Sequence, residues 1–323
     1  MMKSPKVSVV FVNYNGKEML LSAIASLKKS SFHDFETIVV DNASKDGSVV
    51  AVEKKFSSVK IIKNKENLGY TGINTAMKSC RGEYILFLNN DIEIEKDAIK
   101  NLVDVLDENS DAALAVPKLV NFYDRKIDSA GTWVSRSFYN GHFRSSSASK
   151  KITEIPYMGI GLIRKEIITK FGYLFDPDYF IYAEDLDLGI RIRLLGMKTL
   201  YVPDSTVYHM HSQTMKSVAN SRKTYLMERN LLSTFYKNMA FENLILFFPY
   251  VYAMRLATIL RDIFTLKFST AFARIRAIFS VFFMLGKIME KRKKVQFLRK
   301  VSDSYILEAF SEKYLFSKKR LTI

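Results

Sequence analysis

The stretch Tyr84–Glu93, Y-I-L-F-L-N-N-D-I-E, constrains the fold more than any other part of the chain. Tyr84 to Leu88 form an apolar run with no alternation, the pattern of a strand buried on both faces of a parallel sheet. The run stops at Asn89-Asn90-Asp91, with Glu93, Glu95 and Asp97 just beyond. In open α/β sheets, ligands bind outside the carboxyl ends of the strands. An oxygen-rich tip there is a place to hold a divalent cation and a phosphate. The same residues also suit a turn that caps a helix beginning near Lys96, and on this stretch alone that plainer reading is the stronger.

Other strands end the same way. Val7–Val12 runs into Asn13-Tyr14-Asn15-Gly16, Thr37–Val40 into Asp41-Asn42-Ala43-Ser44, and Val59–Ile62 leads to Asn67-Leu68-Gly69-Tyr70. Helical segments follow each: one with Met19, Leu20, Ile24 and Leu27, one with Val49, Val52 and Phe56 capped by Asp46, and one reaching about Lys78. Alternating β and α segments with short loops argue for a parallel, doubly wound α/β sheet. That topology brings Asn13, Asp41, Asn67 and Asp91 to one edge. Each alone reads as turn chemistry, but four polar tips converging on one edge are harder to dismiss. Asp41 suits a hydrogen bond to a ribose hydroxyl or a base N–H. No G-x-G-x-x-G follows the first strand and no G-x-x-x-x-G-K-[ST] occurs. A bound diphosphate would need another counter-charge, which a metal at Asp91 would supply.

Beyond Leu119 the rhythm breaks. Residues 121–151 are polar and hydroxyl-rich, with Ser145-Ser146-Ser147 and the only tryptophan, Trp133. They read as an inserted, mobile loop that shapes a pocket. Ile152–Tyr157 and Gly159–Ile163 resume strand character, and Lys165–Phe171 is a short helix stopped by Gly172. Glu184, Asp185 and Asp187 then open a helix that Gly196 terminates. Asp187 suits an i,i+4 pair with Arg191. Glu184-Asp185, set among Tyr179, Phe180 and Tyr182, invites a raised pKa and the work of a general base. A strand at Lys198–Val202 leads to His209 and His211, a pair near the candidate metal position.

Charge divides the chain. The net charge is +16, of which residues 215–323 contribute +14 from 21 basic and 7 acidic residues. Residues 244–286 are greasy, yet no 18-residue stretch there lacks a charge. Arg255, Thr258, Asp262 and Thr265 recur at helical spacing opposite a broad apolar face. The run Lys287–Lys300 then carries seven positive residues against Glu290. An amphipathic helix followed by a polybasic segment reads as lying on an anionic membrane surface, in preference to a transmembrane span or a solvated helical subdomain. The single cysteine, Cys80, excludes an intramolecular disulfide framework and suits a reducing compartment. The apolar run Val7–Val12 is too short for a signal-peptide core, so export by that route is not expected.

In order, these motifs resemble glycosyltransferase family 2, within it the rhamnosyltransferase-like enzymes of polysaccharide assembly. The segments that carry the likeness are V-S-V-V-F-V-N-Y-N-G (7–16), I-V-V-D-N-A-S-K-D-G-S (38–48), N-L-G-Y-T-G-I-N (67–74), G-E-Y-I-L-F-L-N-N-D (82–91), G-I-G-L-I-R-K-E (159–166), Y-A-E-D-L-D-L-G-I-R (182–191), V-P-D-S-T-V-Y-H (202–209) and E-R-N (228–230). The likeness covers roughly residues 5–240. It implies a GT-A fold, Rossmann-like with a mostly parallel sheet, and sugar transfer from a nucleotide-diphosphate sugar with inversion at the anomeric carbon. It also implies a nucleotide-binding set of Asn13, Asp41, Asn67, Gly69, Asn74 and Asn90. Asp91 would coordinate Mg²⁺ or Mn²⁺ on the diphosphate, with His209 and Asn89 beside it, and Asp185 would be the catalytic base, with Glu184 as neighbour. Asn89 stands where the first aspartate of the D-x-D signature is expected, so Asp91 is left as the one carboxylate of that signature and the resemblance does not carry strict metal dependence with it.

The expected organisation is a glycosyltransferase domain over 1–240, with a nucleotide-sugar half 1–120 and an acceptor half 121–240. A helical membrane-associating region would occupy 241–323. The expected partners are a nucleotide-sugar donor, a glycan or glycolipid acceptor and an anionic membrane surface, with the protein peripheral on the cytoplasmic face of the cell membrane and no nucleic acid bound. The rival readings are transfer to a polyprenyl phosphate, a basic nucleic-acid-binding module and an inactive scaffold.

Overall fold

The structure, a computed structural model, describes residues 4–142, 150–210 and 220–308. The apolar runs become parallel neighbours: β1 (Val7–Asn13) lies between β2 (Phe35–Asp41) and β4 (Tyr84–Asn89), with β3 (Lys60–Lys63) outside β2. Crossovers are made by α1 (Lys17–Leu27) and α2 (Ser48–Lys55). All of β1 and the run Tyr84–Leu88 are buried, so neither strand has a solvent face that would call for alternation. The register sets Asn13 opposite Asp41, Asp41 opposite Lys63 and Asn89 opposite Val12. The polar tips therefore gather at one edge.

The other half of the sheet departs from a purely parallel pattern. β11 (Gly161–Arg164) inserts antiparallel between β4 and β6 (Ala112–Asn121), and β12 (Lys198–His209) runs parallel to β6. Two short strands, β5 (Ile92–Ile94) and β7 (Ile127–Ser129), pair with β12 and β6, while α3 (Ala98–Glu108) packs against both β6 and β12. The last strand is longer than Lys198–Val202. It passes through a register shift at Val202–Thr206, where Pro203 has no N–H to give the ladder, and resumes as far as His209.

Several local expectations change. The helix expected after Asn67 to about Lys78 is a 3₁₀ helix, Gly69–Ala76. The stretch 121–151 is not one loop in its described part: besides β7 it holds the hairpin β8 (Thr132–Val134) and β9 (Asn140–His142). Ser145-Ser146-Ser147 and His211 lie outside the described residues. Of Ile152–Tyr157, only β10 (Thr153–Glu154) is strand. Lys165–Phe171, here α4, ends at Gly172 as expected, with a left-handed φ of 86°.

Helix α5 (Glu184–Leu194) packs on α6 (Asn220–Asn238), which in turn packs on α8 (Phe268–Leu298); α7 (Phe241–Phe264) and the short α9 (Asp303–Glu308) complete the chain. A buried polar cluster joins these helices. Arg191 Nε donates to Asp187 at 2.9 Å, Lys237 Nζ lies 2.9 Å from Asp187 and also pairs with Asp176, and Asn238 Nδ2 donates to Asp187 at 2.8 Å. Lys291 of α8 pairs with Asp176 and, at 2.7 Å, with Asp178. The basic run Lys287–Lys300 is therefore partly internal. Lys291, Arg292 and Arg299 are held by Asp176 and Asp178, by the Tyr236 and Met239 carbonyls, and by Asp303 and the Asn238 carbonyl. Lys287, Lys293, Lys294 and Lys300 are exposed.

Helix α7 is turned inside out. Arg255, Thr258 and Asp262 are buried against the protein, while Leu256, Leu260 and Phe264 face away from it; Thr265, at the C-terminal cap, is exposed. Arg255 donates to the Ser137 carbonyl at 2.5 Å, and Arg274 of α8 bridges Asp262, at 2.8 Å, and Glu228. Both α7 and α8 are long and apolar enough to cross a membrane by length and composition.

Burial alone would raise the Asp176 pKa, but Lys237 and Lys291 outweigh it and hold the carboxyl well below the usual range. Asp176→Asn leaves both ammonium groups short of a partner and should cost about 3 kcal/mol in denaturant unfolding at neutral pH. A carboxyl depressed in the folded state stabilises above its unfolded pKa of about 3.9 and loses that contribution as pH falls further. The wild-type and variant stabilities should therefore converge below that pH; a gap independent of pH would contradict the assignment.

Candidate active site

The edge begins at Asn13. Its buried side chain has Nδ2 3.0 Å from each of Asp41 Oδ1, Ser44 Oγ and Ser48 Oγ, and its Oδ1 accepts from Asn90 Nδ2 at 2.7 Å. The Ser44 N–H donates to Asp41 Oδ2 at 3.0 Å. Asn13, Asp41 and Asn90 are thus one hydrogen-bonded row across three strand ends. Asn42 extends it by donating to the Gly69 carbonyl at 2.7 Å, and Asn67 Oδ1 accepts the Gly69 N–H at 2.9 Å. Gly69 has φ +63°, and a Cβ there would collide with the Phe180 carbonyl, so a residue without a side chain is required. Asn74, on the same turn, bonds to the second half of the chain. It accepts from the Leu174 and Phe175 N–H groups at 2.9 and 3.2 Å and donates to the Phe175 carbonyl at 2.7 Å. The structure shows that side chain as a brace on the second half of the chain.

The second group lies where β4 and β12 end. Asp91 is buried, its carbonyl accepts the Met210 N–H at 2.8 Å, and its Oδ2 is 3.4 Å from His209 Nε2. The other face of the imidazole meets Asp128, with Nδ1 to Oδ2 3.7 Å. Burial alone would lower the His209 pKa, but the two carboxylates reverse the sign and raise it. Asn89, half-buried, ends β4 beside Val12. Among the described residues, no cluster of three or more His, Cys, Asp or Glu side chains is arranged to hold a metal by itself. The Asp91 carboxylate does fit as one side of a coordination shell whose other ligands come from phosphate and water, the usual arrangement for Mg²⁺, and the His209 imidazole stands beside it. Asp128, behind the histidine, is placed to orient it.

The third group is Glu184-Asp185. The residues leading into α5 are strained: Phe180, Tyr182 and Ala183 have φ of 67°, 73° and 61°, each costing roughly 1–3 kcal/mol unless the surroundings impose it. Helix α6 imposes it. Asn230 Nδ2 donates to the carbonyls of Tyr179, Ile181 and Tyr182 at 3.0, 3.0 and 2.7 Å, and Arg229 Nη2 donates to those of Asp178 and Tyr179 at 2.9 and 3.0 Å. The Thr71 N–H also reaches the Phe180 carbonyl at 3.3 Å.

The loop so held delivers Glu184, buried, with Oε2 lacking a hydrogen-bond partner among the described residues, and Asp185, half-buried, with Oδ1 accepting the Leu186 N–H at 2.8 Å. Asp185 Oδ2 lies over Gly159. Burial raises both carboxyl pKa values, Glu184 well above the usual range with Asp185 adding to the rise, while His142 pulls Asp185 the other way. Tyr70 links the groups. Its hydroxyl donates to the Gly159 carbonyl at 2.8 Å, and its pKa is pushed up by burial and then by Glu184, Asp185 and Asp91. The arrangement can accept a proton at Asp185, bind a polar ligand along the Asn13 row and place anionic charge near Asp91.

Asp128 and His142 are missing from the sequence-based set. Both fall in the stretch read as an inserted loop, and neither lies in a recognisable spacing. The E-R-N segment is visible in the sequence, but what it does is not, because Asn230 acts on backbone carbonyls, which leave no residue-type signal.

A family model described as "Glycosyl transferase family 2" matches residues 8–172. A poly(ribitol-phosphate) beta-N-acetylglucosaminyltransferase of Staphylococcus aureus is 34% identical over 123 residues, 36% of this chain and 22% of that protein. The chain thus spans less than a quarter of that relative's length. An N-acetylglucosaminyl-diphospho-decaprenol L-rhamnosyltransferase of Mycobacterium tuberculosis is 24% identical over 230 residues, 62% of this chain and 75% of that protein. Among solved structures, GalNAc-T7 with UDP, GalNAc and Mn²⁺ aligns with a TM-score of 0.60 at 18% identity, over 72% of this chain and 48% of that one. The shared fold is GT-A.

Asn230→Ala frees carbonyls that hold the strained loop. It should lower stability by about 2 kcal/mol and speed hydrogen exchange selectively across 178–185. Unchanged exchange in that segment would show that the loop holds its shape without the clamp.

Proposed function

The chain belongs to glycosyltransferase family 2, and from that membership we propose an inverting glycosyltransferase that moves a sugar from a nucleotide-diphosphate donor to a hydroxyl of a lipid-linked glycan or related membrane-borne acceptor in polysaccharide assembly. The observation that carries this reading is the Glu184-Asp185 pair, kept basic by burial and set on a strained loop that touches the nucleotide-side turn at Gly69.

In this reading Asn13, Asp41 and Asn90 hold the nucleoside side of the donor, and Asn67 and Gly69 shape the turn that borders it. Asn74 ties that turn to the acceptor half. Asp185 takes the proton from the acceptor hydroxyl as its oxygen attacks the anomeric carbon from the face opposite the diphosphate. The carbon–oxygen bond to the diphosphate breaks in the same step, which inverts the centre. Protonated Glu184 beside it keeps the pair from carrying two adjacent buried charges. Asp91 and His209, with Asn89 nearby, would hold a divalent cation whose chemistry is to offset the charge growing on the leaving diphosphate. Asp128 keeps the His209 ring in place.

We assign 1–240 to the catalytic domain, its nucleotide-sugar half to 1–120 and its acceptor half to 121–240, and 241–323 to membrane association on the cytoplasmic face. The outward apolar faces of α7 and α8 and the exposed lysines of the Lys287–Lys300 run support that placement. The Mycobacterium tuberculosis relative, whose name specifies a decaprenyl-diphosphate-linked acceptor, supports the acceptor class.

The test is sugar transfer and slow donor hydrolysis across a panel of nucleotide sugars with Mn²⁺, Mg²⁺ or EDTA. One donor should be turned over, and Asp185→Asn should lower transfer by about 10²–10⁴-fold. The raised pKa sets the sign of the pH profile: kcat/KM should fall on the acid side with an apparent pKa above the ordinary carboxylate value. A mild effect of Asp185→Asn would point to an acceptor that is already anionic, a polyprenyl phosphate, and would remove the general base from the mechanism.

A further inference from the structure

Near their N-terminal ends α6 and α8 flank a groove of about 480 Å³, lined by Ser221, Arg222 and Tyr225 of α6 and Ser269, Phe272 and Arg276 of α8. Arg222 and Arg276 are both exposed, and among the described residues neither pairs with a carboxylate. The more buried arginines nearby behave differently: Arg255 of α7 is matched by Glu228, and Arg274 of α8 by Glu228 and Asp262. The contacts of the groove arginines are aromatic. The Arg276 guanidinium lies 4.7 Å from the Tyr225 ring, and that of Arg222 lies 5.7 Å from the Phe180 ring. Arg222 also acts on Tyr182, whose pKa it lowers against the larger upward push of burial.

Arg276 belongs to an apolar stripe. Phe272, Phe279 and Phe283 stand four residues before it and three and seven after it, which places all four on one face of α8. The three rings are 67%, 60% and 83% exposed. Two unmatched guanidinium groups beside a long outward apolar face complement an amphiphile with a phosphate head and a hydrocarbon tail. The position of Arg222 selects among such ligands. Phe180 and Tyr182 belong to the strained loop that delivers Glu184-Asp185, so a phosphate held at Arg222 sets whatever it carries beside those carboxylates. Bulk anionic lipid needs no such position, and the exposed lysines of Lys287–Lys300 serve it.

We propose that this groove seats the diphosphate of a polyprenyl-diphosphate-linked acceptor, with Arg222 and Arg276 on the phosphates and the polyprenyl chain along Phe272, Phe279 and Phe283. The proposal rests on the lipid-linked acceptor class inferred above and adds where, and by which atoms, its head is held.

The test is flotation of the full-length protein with phosphatidylcholine vesicles containing undecaprenyl diphosphate, against vesicles of matched surface charge containing phosphatidylglycerol. The wild type should prefer the diphosphate vesicles by about tenfold or more. R222Q/R276Q should lose that preference, and K293Q/K294Q should weaken binding to both vesicles while keeping it. No wild-type preference, or a preference that survives R222Q/R276Q, overturns the site and leaves a surface that reads only charge. The readout uses no donor and no catalysis. Preferential binding without sugar transfer would retire the enzymatic reading and keep the groove, whereas transfer without preferential binding would do the reverse.

Discussion

The structure depends on one clamp, the amide of Asn230 on the carbonyls of Tyr179, Ile181 and Tyr182. Left-handed backbone at Phe180, Tyr182 and Ala183, so closely spaced, does not persist on its own. Here it persists because α6, packed on both α5 and α8, presents a side chain with donors at the right place. Other residues of α6 bind the loop's surroundings. Lys237 and Asn238 hold Asp187 and Asp176, which fixes the start of α5 from its buried side, and Glu228 ties the same helix to Arg274 and to the Tyr139 hydroxyl. The carboxylates therefore stand on a rigid helix–loop junction although they sit at the end of a strained segment.

That same helix connects the site to the outward-facing helices. An ordinary surface helix buries its apolar stripe and exposes its charges. Helix α7 does the opposite, and its buried Arg255 and Asp262 belong to the network that reaches Glu228 on α6. Polar groups buried between helices are strongly directional, so the network sets how α7 and α8 sit against α6. The apolar faces left outside carry Phe264, Phe272, Phe282 and Phe283, an amount of exposed aromatic surface that a soluble monomer seldom shows.

Much of this is legible in the sequence, for a local reason. A strand buried on both faces must be apolar throughout, and the polar residue that ends it marks the sheet edge, so Asn13, Asp41 and Asp91 stand out without any knowledge of their partners. Glu184-Asp185 is visible because three carboxylates among aromatic residues are unusual. What is hidden is what depends on distant register. Asp128 reaches His209 only because β7 pairs with β6 beside the end of β12. The short strands within 121–142 take their order from tertiary pairing, and their composition reads as a loop. The basic run Lys287–Lys300 looks uniform as sequence, yet α8 turns Lys291 and Arg292 onto Asp176 and the α6 carbonyls, and Arg299, at its C-terminal cap, reaches Asp303. Asn74 resembles a ligand-binding residue in its motif and is seen bracing Leu174 and Phe175.

In the proposed mechanism a single base stands on one side of the reacting carbon and the diphosphate leaves from the other, which would fix the stereochemistry of the reaction. The most direct measurement is the anomeric configuration of the product sugar by NMR, compared with that of the nucleotide-sugar donor, from the first turnovers with the accepted acceptor. The account predicts inversion. Retention would require two successive displacements, or attack from the face the diphosphate leaves, and would contradict the role given to Asp185.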